Sequence, residues 1–209
     1  MVAQPILDCS LPPLPRPVRL GILASGNGTN FQAIAESVAA DELNAEIAVL
    51  IYNNPDAHVK ERAAQFGVPT IFLDHRQKSR ARLDQEIVDT LKTHNVELVA
   101  MAGWMRIVSA VLINAFANRI VNIHPSLLPQ FKGLDAVSQA LAAGVPETGC
   151  TAHIVVEAVD SGPILLQAAV PIKPEDDEDR LHNRIREQEY RIFPRALAIA
   201  AKRFVFEQS

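Results

Sequence analysis

VRLGILASGNGTNFQAIAESVAA, residues 18–40, opens on a short apolar run and closes on apolar residues three and four apart. Val18 to Ala24 reads as a buried strand, interrupted only by Arg19. From Asn30 to Ala40, the residues Phe31, Ile34, Ala35 and Val38 fall on one face of a helix. SGNGTN, residues 25–30, joins the two. A strand that runs through a glycine turn into a helix is half of a βαβ unit. What decides the fold is whether the rest of the chain repeats it.

It does. Ala45 to Tyr52 reads as a second strand, stopped by Asn53-Asn54-Pro55, and a helix from Ala57 to Phe66 ends at Gly67. A short strand from Val68 to Leu73 comes next. A helix from Arg80 to His94 carries Leu83, Ile87, Val88 and Leu91 on one face. Glu97 to Ala102, Ser109 to Ala117, Arg119 to Ile123 and Asp135 to Ala143 continue the alternation as strand, helix, strand, helix. This predicts a three-layer α/β domain with a mostly parallel sheet covered on both faces. The end departs from it. Cys150 to Glu157 and Ile164 to Ile172 read as strands with only Ala158 to Pro163 between them. That link is too short for a crossover helix, so the C-terminal strand pair is expected to be antiparallel. A last helix, Asp176 to Arg203, begins among the acids of Glu175 to Asp179, which suit a solvated helix start.

The chain has 209 residues, 48% apolar and 21% charged, enough for one domain spanning 18–209. A net charge of -4 argues against a nucleic-acid binder that works by neutralising phosphates. No apolar run approaches the ~20 residues of a membrane span. Cys9 and Cys150 are far apart and belong to no CxxC pair, so neither a disulfide framework nor a zinc or other metal site is expected. Reduced thiols and a cytoplasmic location are the reading. Residues 1–17, MVAQPILDCSLPPLPRP, hold five prolines and lack the pattern of a signal peptide. They read as a poorly ordered extension.

The loop SGNGTN invites two readings. Gly26 and Gly28 fit the start of a dinucleotide fingerprint, but Phe31 stands where the third glycine belongs, and no lysine comes after to make a Walker loop. A small anion site at Gly28, Thr29 and Asn30 is one reading, better suited to a phosphate monoester than to a pyrophosphate. A tight turn capped by Thr29 or Asn30 is the other.

VNIHPSLLPQFKG, residues 121–133, places Asn122 and His124 at the carboxyl end of a strand, where open α/β sheets bind ligands. At i and i+2 the two side chains face one side. An imidazole exchanges protons near neutral pH, and an amide can donate to a developing oxyanion. Pro125 and Pro129 stiffen the segment after the pair. A strand-end histidine bonded to a carbonyl is the plainer alternative. Asp160, in the turn EAVDSGPILLQ, is the candidate to hold His124 protonated, or a simple turn former. His153, on the strand before that turn, could line the same cavity or lie behind the site, and the second is the expectation. MAGWMRIV, residues 101–108, offers an apolar turn with Trp104, Met105, Ile107 and Val108 and a single Arg106. That composition suits either a flat heteroaromatic ligand or ordinary packing.

SGNGTN, AGWMRIV, NIHPSLLPQFKG and DSGPILLQ, in this order and spacing, resemble the glycinamide ribonucleotide formyltransferases of purine biosynthesis, over about residues 18–205. The resemblance implies a Rossmann-like fold and transfer of a formyl group from 10-formyltetrahydrofolate to the amine of 5-phosphoribosylglycinamide, with no metal. It implies His124 as general acid, Asn122 as oxyanion donor, and Asp160 as the group that keeps His124 protonated. Gly28, Thr29 and Asn30 would hold the substrate phosphate, and Glu189 would lie near its amine. Arg80, Met105, Arg106, Ile107, Val108, Asn122 and the loop Val156, Glu157, Ala158, Val159 to Asp160 would face the folate. From the residues alone, Arg80 and Glu189 read as helix-surface charges. Lys132 and Asp135 stand where some members carry Pro and His, and Asp135 is expected to cap the next helix. A monomer or weak homodimer is expected.

Three other readings compete. A formyltetrahydrofolate hydrolase would use the same Asn-His-Asp chemistry on water, but is expected to carry a regulatory domain where only 17 residues precede the first strand. A methionyl-tRNA formyltransferase is expected to be more basic and to have a tRNA-binding domain. A non-catalytic nucleotide-binding module leaves the Asn-His-Asp set unexplained.

Overall fold

Seven strands lie in one sheet in the order β3-β2-β1-β4-β5-β6-β7. They come from a computed structural model that describes residues 13–207. In chain order the elements are β1 (Val18–Ala24), α1 (Thr29–Ala39), β2 (Ala45–Tyr52), α2 (Val59–Gln65), β3 (Thr70–Phe72), α3 (Arg80–Thr93) and β4 (Leu98–Met101). Then come α4 (Ala110–Ala115), β5 (Ile120–His124), α5 (Ala136–Ala143), β6 (Glu147–Ile154), β7 (Ile164–Pro171), α6 (Glu178–Ala201) and a π-helical turn, Lys202–Phe206.

β1 to β5 pair in parallel, while β6 is antiparallel to both β5 and β7. The expected architecture therefore holds. The strands β2 and β3 lie on one side of β1, and β4 and β5 on the other. The chain thus reverses its direction of travel between β1 and β4, and the crevice at that switch point is where such sheets bind ligands.

Side chains alternate across the sheet. Leu20 and Ile22 join Phe31, Ile34, Phe193 and Leu197 under α1 and α6. Leu23, Val99 and Met101 join Leu83, Ile87, Leu91 and Leu112 under α3 and α4. The two apolar layers fix the register, because a one-residue slip would turn each strand's core face to the wrong side.

One boundary differs materially from expectation. The strand expected over Cys150 to Glu157 runs from Glu147 to Ile154. Glu147, Thr148 and Gly149 are polar or small, yet they pair with Pro171, Val170 and Ala169. A ladder needs backbone groups rather than apolar side chains, and the length of β7 sets its extent. Val155 and Val156 become loop residues. Other element ends shift by a residue or two, as ends do.

The expected poorly ordered extension, 1–17, lies mostly outside the described residues. Its last part is held. Leu14 packs against the core, and Arg16 pairs with Glu97 at 2.6 Å and lies 5.0 Å from the Phe206 ring centroid. No helix among the described residues is long and apolar enough to cross a membrane.

Candidate active site

Two loops form the crevice. The one leaving β1 is tied to the one leaving β4 by Ser25 N–H donating to Gly103 O at 3.0 Å and Met105 N–H donating to Ser25 Oγ at 3.0 Å. The first loop ends on Gly28, the N-cap of α1, at φ 73°. That left-handed conformation suits glycine, and a Cβ there would lie 2.4 Å from Val59 Cγ2. The expected cap by Thr29 or Asn30 is absent. Thr29 is already helical, Gly28 has no side chain to cap with, and the amide of Asn30 donates to Glu189 Oε2 at 2.9 Å instead.

The carbonyls of this loop turn outward. Gly26 O accepts from Val59 N at 3.2 Å, and Asn27 O accepts from Arg62 Nε at 2.7 Å. In a trans peptide the C=O and the next N–H point in opposite directions. The amides of Asn27 and Gly28 therefore point away from α2. Those of Thr29 and Asn30 open the helix and have no acceptor within it. Four N–H groups beside a helix N-terminus make a compact site for an anion.

At the end of β5 the side chains of Asn122 and His124 reach the same cavity, of about 760 Å³. His124 is buried. Its Nε2 lies 2.8 Å from Phe131 O, and its Nδ1 lies 3.4 Å from Asp160 Oδ2. A carbonyl and an ionised carboxylate are both acceptors, so each ring nitrogen faces an acceptor. The plainer alternative, a histidine bonded to a carbonyl, is present in the Phe131 contact.

Asp160 is shared. Its Oδ1 lies 3.4 Å from His153 Nε2, and its Oδ2 accepts from Gly133 N at 2.9 Å. Burial opposes its charge, but the His153 contact, the Gly133 amide and the two imidazoles outweigh that and hold the carboxyl below its ordinary range. His153 stands opposite Asn122 across the β5–β6 pair, and its Nε2 is 3.3 Å from Asn122 Nδ2. Its Nδ1 donates to Ile154 O at 2.9 Å. The single Nε2 of His153 faces both Asp160 and Asn122 and can hydrogen-bond only one of them at a time.

The turn after β5 is fixed by more than its prolines. Thr151 Oγ donates to Ser126 O at 2.6 Å and accepts from Leu128 N at 3.0 Å, and Gln167 donates to Leu128 O at 2.9 Å. Ser126 Oγ donates to Gln130 O at 2.6 Å. The Leu128–Pro129 bond is cis.

The cavity mouth is apolar. Met105 is 72% exposed, Ile107 53% and Val159 44%, all on its lining, with Val108 and Val156 deeper. Arg106 lines it too, and its Nε is buried with no acceptor among the described residues. Glu157 is on the lining, whereas Ala158 and Arg80 are not. Arg80 is the first residue of α3, which is anchored nearby by Asp84 accepting from Ser109 N.

Glu189 is 5% exposed, and burial pushes its carboxyl above the usual range. It reads from sequence as a surface charge, but it ends a stripe of Glu178, His182 and Arg186 that all line the cavity. Those three were not foreseen as site residues. The spacing i, i+4, i+8, i+11 is one helix face, and a polar stripe on a face turned to the protein was the available signal. Arg186 has no ion pair among the described residues; it bonds Asn183 Oδ1 at 3.1 Å. Asp135 also lines the cavity. It is left-handed at φ 56° and makes no side-chain cap, contrary to expectation, because that conformation turns the carboxylate from the helix amides. Among the described residues no group of three or more His, Cys, Asp or Glu is placed to hold a metal ion.

Known proteins are similar to this chain. The Formyl transferase family pattern matches residues 18–197. A phosphoribosylglycinamide formyltransferase from Bacillus subtilis is 40% identical over 84% of this chain and 91% of its own length. The trifunctional purine biosynthetic protein adenosine-3 of Drosophila melanogaster is 45% identical over 87% of this chain, but the match spans only 14% of that protein. A glycinamide ribonucleotide transformylase from Symbiobacterium toebii superimposes with a TM-score of 0.89 at 43% identity over 93% of each chain.

Proposed function

The chain belongs to the formyl transferase family, and from that premise we propose that it moves a formyl group from 10-formyltetrahydrofolate to the amine of 5-phosphoribosylglycinamide, a step of purine biosynthesis. One observation carries this reading. A single cavity joins the amide-rich start of α1, the Asn122, His124 and Asp160 group, and an apolar mouth.

Each part suits one piece of the chemistry. Gly28, Thr29 and Asn30 hold the substrate phosphate at the positive end of α1. Arg186 adds a cation to that wall, and Glu189 faces the amine end. Met105, Ile107, Val108, Val156 and Val159 take the flat ring system of the formyl donor. Arg106, whose buried Nε has no acceptor among the described residues, meets one of its polar groups, with Glu157 on the same lining and Ala158 and Arg80 just outside it. The donor supplies the formyl group on its N10.

The neutral amine attacks the formyl carbon, the carbon–N10 bond breaks, the amine loses one proton and N10 gains one. Asn122 and His124 donate to the carbonyl oxygen as charge develops there, which is where fixed donors act most strongly. His124 can then pass its proton toward N10. Asp160 holds the ring's other side, and His153 stands between Asp160 and Asn122. His124 must exchange the Phe131 carbonyl for the substrate oxygen.

We also place the protein in the cytoplasm, as a monomer or weak homodimer that uses small molecules and neither nucleic acid nor membrane. The net charge of -4 and the Cys150 thiol, buried and pushed up to about 12 by that burial and by Glu189, suit this. The test is release of tetrahydrofolate, followed by absorbance, with and without phosphoribosylglycinamide. Turnover that requires the amine is expected. Equal turnover without it would make the protein a hydrolase.

A further inference from the structure

A second groove lies behind the glycine loop, lined by Asn27, His58, Glu61, Arg62 and Gln65. Arg62 reaches across it from α2. Its Nε donates to Asn27 O at 2.7 Å, and its Nη1 donates to Gln32 Oε1 on α1. Both acceptors are neutral. Glu61, next to it in sequence, turns to His58 at 3.8 Å and Lys60 at 3.9 Å. Among the described residues Arg62 has no ion pair.

We propose that Arg62 is a positioning residue for substrate binding: it holds the Asn27–Gly28 peptide in the orientation that aims Gly28 N–H into the cavity, and it supplies uncompensated positive charge behind that amide. The inference rests on the phosphate role proposed for this loop.

Asn27 O and Gly28 N–H are opposite ends of one peptide plane. With glycine on either side of Asn27, the backbone is permissive, and that plane can rotate. Rotation would bring a carbonyl oxygen into the anion site and turn the donor out of it. The guanidinium bond to Asn27 O opposes rotation. A charge-assisted bond to that carbonyl also polarises the peptide, which strengthens the N–H at its other end. Arg62 further bridges to Gln32 on α1, so the loop and the helix after it are held by one side chain. Val59 N–H on Gly26 O does the same for the preceding plane.

The test compares wild type, Arg62→Met and Arg62→Lys on two acceptors, phosphoribosylglycinamide and the riboside that lacks its phosphate. Arg62→Met is expected to raise KM for the phosphorylated acceptor about tenfold or more, the scale of a hydrogen bond to a charged group. Its kcat and its KM for the formyl donor should change little, and turnover of the riboside should barely move. Inorganic phosphate, as a competitive inhibitor, should weaken by a similar factor. Arg62→Lys keeps the charge without the fork and should fall between; it carries the test if Arg62→Met does not fold. Equal loss on both acceptors would mean a merely structural role, and an unchanged KM would also overturn the proposal. The two readings fail separately. A wild type that does not distinguish the two acceptors removes the phosphate site itself, and this inference with it.

Discussion

The imidazole of His124 meets the carboxylate of Asp160 across 3.4 Å, and the segment between them in sequence leaves β5 and passes through α5 and β6 before closing that gap. Asp160→Asn keeps the shape and one acceptor but removes the charge. Formyl transfer is expected to slow by about 10²–10³, the scale of losing one oriented polar group at a reacting carbonyl. KM for the donor should stay near wild type. Rapid-quench measurement of the transfer step decides it.

The same carboxyl predicts a stability profile. Its folded pKa is depressed, so its contribution is present above the ordinary value of about 3.9 and is lost as pH falls through the folded value. Wild type should melt above Asp160→Asn at neutral pH, and the gap should shrink as pH falls below the ordinary value of about 3.9. A gap that is constant with pH would assign the loss to packing instead of charge.

Glu189 runs the opposite way. Burial raises its folded pKa, so the folded chain holds a proton the unfolded chain has released. Stability then falls as pH rises from the ordinary value of about 4.3 toward the raised one. Glu189→Gln removes that loss while keeping an acceptor for Asn30. Its melting temperature should match wild type near pH 4 and exceed it at pH 8 by a few degrees, and its KM for phosphoribosylglycinamide should rise. Thermal melts across that range check the sign.

Much of this was legible before any fold. β1 and β2 are near-continuous apolar runs, and the pairing of Asn122 with His124 on one strand face comes from a period of two. The start of β6 was not legible, because Glu147 and Thr148 are held by β7, not by their own character. Neither was Gly28 as the cap: what enforces it is Val59, on another element. Glu189 reads from sequence as a surface charge because a helix face turned to the protein is ordinarily apolar. Only the fold reveals that this part of α6 faces a cavity.

Gly28→Ala tests that enforcement. The left-handed conformation costs an L-residue about 1–2 kcal/mol, and the methyl would press on Val59 at 2.4 Å. A loss of about 2 kcal/mol or more in urea unfolding is expected, together with a raised KM for the phosphorylated acceptor. Gly26→Ala, with nothing within 4 Å of its Cβ position, should cost far less.

Phe131 tests the donor role of His124. Its carbonyl takes the Nε2–H of His124 at 2.8 Å, the bond that must open when His124 donates to substrate. The neighbouring residues hang on the same machinery, since Gln130 O accepts from Ser126 and Gly133 N donates to Asp160. Binding phosphoribosylglycinamide with a non-transferable folate analogue should therefore change hydrogen exchange across 130–134 by severalfold, and shift the His124 Nε2 resonance. Phe131→Leu should leave activity within about threefold, because the backbone makes the contact and surface changes away from it are mild. If the His124–Phe131 bond persists in that ternary complex while transfer remains competent, His124 is not the donor to the oxyanion, and Asn122 carries that role with Asp160 and His153 merely fixing its amide.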